Sequence, residues 1–160
     1  MGDQGGAIVV GVDASSGAAA ALAFALSEGW ERGCTVEVVT AWLGGSTVDS
    51  TPDSDALAEG RARVHQMQGD VVARCVEERG ENVPNLTRTV VHDYAGRVLV
   101  ARADTASMVV VGSGNPSSAS AQVLGSVAEY CVRHAPVPVV IVPAPARLER
   151  RAAASTAATV

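Results

Sequence analysis

Two stretches of this chain carry residues whose types and spacing suit ligand chemistry. In "AIVVGVD", residues 7–13, a short β-branched run ends in Gly11-Val12-Asp13 and leaves a carboxylate just past a strand. In "MVVVGSGNPSSASAQVLGSV", an apolar run opens onto Gly112 and Gly114, passes six Ser, Asn or Gln side chains, and reaches Gly125-Ser126 where a helical pattern begins. Glycines let backbone N–H groups approach an anion, and a helix start offers N–H groups with no partner inside the helix. An acidic acceptor facing such a start suits a nucleotide, with base and sugar at one side and phosphates at the other. Each residue also has a purely structural reading. Asp13 can cap a helix or turn, Ser126 can be a first-turn residue, and Gly125 can serve close packing.

Other chemistries are poorly served. All twelve basic residues are arginines, so no P-loop, Schiff-base or other lysine-dependent mechanism is available. "GSGNPS" lacks the third glycine of a dinucleotide fingerprint and follows the fourth strand instead of the first. No G-x-S-x-G or H-E-x-x-H occurs. His92 and Asp93 read as a solvated turn, His134 as a structural residue in a last helical turn, and His65 as mid-helix without a function. No general base, nucleophile or metal-ligand set accompanies the loop, and efficient catalysis is not expected. Cys34, Cys75 and Cys131 form no C-x-x-C, which argues against a disulfide framework or zinc ribbon. Cys75 and Cys131 read as small buried hydrophobes.

The elements that must position these residues alternate along the chain. Strand 1 precedes a helix over 17–31, capped by Ser15 or Ser16 and stopped at Gly33, with Ala18, Ala21, Leu22, Ala25 and Gly29 on one face. "TVEVVTAW" (35–42) is a second strand, and 43–55 a polar loop. A long helix over 55–79 carries Leu57, Val64, Met67, Val71 and Cys75 at helical spacing. "NLTRTVV", a short helix over 95–103, "SMVVVG", a helix in "VLGSVAEYCVRHA" and a strand in "PVPVVIV" follow. Largely apolar strands alternating with helices predict an α/β fold, a five-stranded parallel sheet covered on both faces. Ligands of such sheets bind beyond the carboxyl ends of the strands, where strand order reverses.

At 160 residues, the expected organisation is one domain over 7–143, with a loose leader at 1–6 and a frayed tail at 144–160. Apolar residues make up 48% but aromatics only 3%, so Val, Ala and Leu must build the interior. A net charge of −5 argues against nucleic acid as a partner. No apolar run approaches the roughly 18–20 residues of a membrane span, and no secretory signal is visible. A cytoplasmic location is expected.

Together, "IVVGVDASSGAAAALAFAL", "TVEVVTAW", "MVVVGSGNPSSASAQVLGSV" and "VRHAPVPVVIV" resemble the universal stress protein family over roughly residues 7–143. ATP-binding members carry G-x2-G-x9-G-[ST] after the fourth strand. Gly112, Gly125 and Ser126 match it, whereas Asn115 stands at the second glycine. Pro116 favours extended geometry at Asn115 and removes a possible N–H donor, and no basic residue lies between Arg102 and Arg133. The resemblance implies a strand order of 3-2-1-4-5 and an adenine nucleotide, ATP alone or with magnesium, between strands 1 and 4. It implies that Asp13 and the backbone of Ala41 contact the adenine, and that Val111 and Gly112 lie against the ribose. Gly114, Asn115, Gly125, Ser126 and Val127 would hold the phosphates. It also implies a stress-response or signalling role, with slow hydrolysis at most, and a homodimer through the fifth strand (137–142). The alternative is a homodimeric scaffold of the same fold that binds no nucleotide.

Overall fold

A β-branched run can be buried on both faces only if something covers each face, and the sheet is organised accordingly. The computed structural model describes residues 5–44, 54–114 and 124–145. The elements are β1 (Ala7–Gly11), α1 (Ser16–Arg32), β2 (Val36–Trp42), α2 (Ser54–Arg79), β3 (Leu86–His92), α3 (Ala95–Ala103), β4 (Ala106–Gly112), α4 (Ser126–His134) and β5 (Val139–Val142). All strand pairs are parallel and their order is β3-β2-β1-β4-β5. Alternation along the strands divides the core in two. Ile8, Val10, Val36, Val38 and Val110 meet α1 and α2 on one face. Val9, Val39, Val109 and Val111 meet α3 and α4 on the other. Strand order reverses between β1 and β4, which places the switch point at the ends of the two strands singled out from the sequence.

Local chemistry explains the boundaries. Ser15, not Ser16, caps α1, its Oγ accepting from the Ala18 N–H at 3.1 Å. Gly33 ends that helix in the left-handed region at φ 64°. The Ala-rich face expected for α1 is the buried one.

The expected stripe of α2 is only half realised. Val71 and Cys75 are buried, but the centre of the contact is Gln68, which is fully buried. Its Nε2 lies 3.0 Å from Thr89 O, 3.1 Å from Thr40 Oγ1 and 3.2 Å from Val38 O. Thr40 Oγ1 in turn donates to Val12 O at 2.8 Å, so one polar chain ties α2 to β2, β3 and the end of β1. Apolar periodicity misses a buried amide because its place is set by carbonyls distant in sequence.

One expected boundary shifts and one holds. The fifth strand begins at Val139 instead of Pro136, because Pro136 and Pro138 have no N–H to give a ladder. The last helix begins at Ser126, at the Gly125-Ser126 start read from the sequence. His92 closes β3 instead of lying in a turn, its Nε2 accepting from the Gly44 N–H at 2.8 Å and its ring 4.9 Å from that of Trp42. Among the described residues, no helix is long and apolar enough to cross a membrane.

Candidate functional site

The end of β1 is held before the site is formed. Val12 N–H donates to Val39 O at 2.9 Å, and its carbonyl accepts from Thr40, so both sides of its peptide are tied to β2. Asp13 then turns the chain toward α1, one carboxylate oxygen accepting from the Ser15 N–H at 2.8 Å. This is the turn role weighed from the sequence, and it leaves Asp13 exposed beyond the carboxyl end of the central strand.

The end of β4 meets the same region. A Cβ at Gly112 would lie 2.7 Å from the carbonyl carbon of Gly17 and 2.8 Å from its oxygen. Only glycine lets the start of α1 come this close. Ser113 N–H donates to Val142 O at 3.0 Å, and Gly125 N–H donates to Ser113 O at 3.2 Å. Gly114, at φ 95°, packs against Gly125 so closely that a Cβ would sit 3.0 Å from the Gly125 Cα. Both ends of the loop are thus pinned together. Asn115, with Pro116 and the serines that follow, lies outside the described residues.

Gly125 precedes α4 in extended geometry and supplies no capping side chain. The N–H groups of Ser126, Val127 and Ala128 therefore have no acceptor inside the helix, and they stand at its positive end. Gly125 serves packing against the loop, at Gly114, and not against the sheet.

Asp13, Ala41, Val111, Gly112, Gly114, Gly125, Ser126 and Val127 all line one cavity of about 320 Å³. Val39, Ala95 and Leu99 join them and make the end beside Ala41 apolar. These three were not singled out from the sequence. Val39 had a signal, since it shares a strand face with Ala41 two residues on. Leu99 had none, because its place depends on how α3 crosses the sheet. Among the described lining residues, Asp13 is the one charged group. No cluster of three or more His, Cys, Asp or Glu among the described residues could hold a metal. A second recess, between α1 and α2 around Ala20, Ala23, Arg74 and Glu78, contains none of the candidates.

The family model of the universal stress protein family matches residues 6–143, nearly the whole described fold. The chain belongs to the universal stress protein family. Universal stress protein Rv2623 of Mycobacterium tuberculosis is 34% identical over 138 residues, which are 84% of this chain and 44% of that protein. The chain thus spans less than half the length of such relatives. A universal stress protein in complex with cAMP shares the fold at a TM-score of 0.66 and 22% identity, covering 88% of this chain and 98% of its own. The universal stress protein from Archaeoglobus fulgidus in complex with dAMP does so at 0.58 and 23%, covering 84% and 95%. At those identities the likeness establishes the fold.

Proposed function

We propose that this universal stress protein binds an adenine nucleotide in the crevice between β1 and β4 and acts in stress response or signalling in the cytoplasm, without efficient catalysis. The observation that carries this reading is the convergence of Asp13 and the free N–H groups of α4 on one cavity with an apolar end. Two proteins of the same fold bind cAMP and dAMP, both adenine nucleotides, which supports the ligand class. In this reading Asp13 and the backbone of Ala41 receive the base, Val111 and Gly112 flank the ribose, and Gly114, Asn115, Gly125, Ser126 and Val127 hold phosphate. ATP is the member of the class that the family resemblance implies. Magnesium would have to arrive on the phosphates, because the described lining supplies a single carboxylate.

The test is mass spectrometry of the purified chain for carried-over adenine nucleotide, with thermal melts in its presence. A ligand at a hundred times its Kd adds about 2.7 kcal/mol to stability, a rise of several degrees in Tm. No carried-over nucleotide, and no shift at millimolar concentration, would remove the reading.

A second reading has its own observation. β5 is an edge strand of four apolar residues, Val139–Val142, each only half-buried. Pairing with a second copy along 137–142 would cover it, and a homodimer is proposed on that ground. Light scattering at micromolar concentration should give twice the chain mass; a monomer would contradict it.

A further inference from the structure

We propose that the crevice prefers an adenine ligand with one phosphate, the AMP class, over ATP. This rests on the adenine-nucleotide reading above and narrows it. Two observations point the same way.

The first is charge. Among the described residues, the one charged group in the lining is the carboxylate of Asp13. The loop residues 115–123, NPSSASAQV, add no charged side chain, and the chain has no lysine. Four arginines lie on the strands and helices that build the site, and each is engaged by a carboxylate. Arg32 sits 2.7 Å from Glu28, Arg97 3.9 Å from Asp93, and Arg133 2.8 Å from Glu129, while Arg102 pairs with Glu37. None of the four lines the cavity. A second and third phosphate would therefore add negative charge to a site whose fixed charge is already negative.

The second is the number of donors. The N–H groups of Ser126, Val127 and Ala128 are free at the start of α4, and a single phosphate has enough oxygens to use them all. The favourable field of a helix end amounts to about half a charge and fades within its first turn. Phosphates farther out gain little from it.

Calorimetric titration of the full chain with AMP, with ATP, and with ATP plus magnesium tests the preference. AMP should bind at least tenfold more tightly than ATP in either form. Asp13→Asn, which keeps an oxygen for the Ser15 N–H, should narrow the AMP:ATP ratio. Any loss at the base end is common to both ligands and cancels in that ratio. ATP binding as tightly as AMP would overturn this preference and leave the adenine-nucleotide reading standing. A ratio unmoved by Asp13→Asn would overturn its electrostatic origin. Binding of neither ligand would overturn the adenine-nucleotide reading, and this one with it.

Discussion

Gly112 belongs to the pattern G-x2-G-x9-G-[ST], yet its constraint is visible without any ligand. The atoms that a side chain would strike are backbone atoms of Gly17 and Ala18, which cannot swing aside as a flexible side chain would. Gly112→Ala must push α1 away from β4 or distort the end of the strand. We expect it to cost about 1–3 kcal/mol in urea unfolding, as overpacking does, and to weaken nucleotide binding as well. Unchanged stability would contradict the close approach. Cys131 offers a test in pH. It is fully buried on the inner face of α4, and burial pushes its thiol from 9.0 up to about 11. Between those values the unfolded chain has released a proton that the folded chain keeps. Its contribution is therefore fully present below pH 9 and lost as pH approaches 11. Replacing Cys131 with Ala should flatten that part of the stability curve.

Among the elements, those with a local signature were the legible ones. The start and stop of α1 could be read from the Ser15-Ser16 pair and Gly33 because capping is a short-range matter. The two halves of the site, Asp13 and Gly112 with Gly125-Ser126, were legible because strand ends and helix starts announce themselves in sequence. The start of β5 was misplaced because the pattern counts apolar side chains, and Pro136 and Pro138 fail on the backbone. Gln68 and Leu99 were invisible because their environments are assembled from β1, β2, β3 and α3. The Gln68–Thr40 link makes an element-scale prediction. Gln68→Ala should destabilise the chain by about 1–3 kcal/mol, because it removes the donor to Thr40, Val38 and Thr89. A double-mutant cycle with Thr40→Val should show coupling of about 0.5–3 kcal/mol. Additive losses would mean that the Gln68–Thr40 contact contributes nothing to holding α2.

For the whole molecule, the parallel order β3-β2-β1-β4-β5 brings together two segments about a hundred residues apart in sequence. Neither is a site by itself. Asp13 closes a turn, and α4 has an uncapped start. Only the adjacency of β1 and β4 makes them the two ends of one cavity, with Ala41, Val39 and Leu99 forming its apolar end. The proposed nucleotide binding would therefore be a property of the assembled sheet, and it should be lost on unfolding as one cooperative event. The most direct test is a nitrogen–proton NMR titration of the chain with AMP. The amides of Ser126, Val127, Ala128 and Gly114 should move most, with Asp13 and Ala41 following at the base end. Movement confined to the recess between α1 and α2, or none anywhere, would contradict the placement of the nucleotide between β1 and β4.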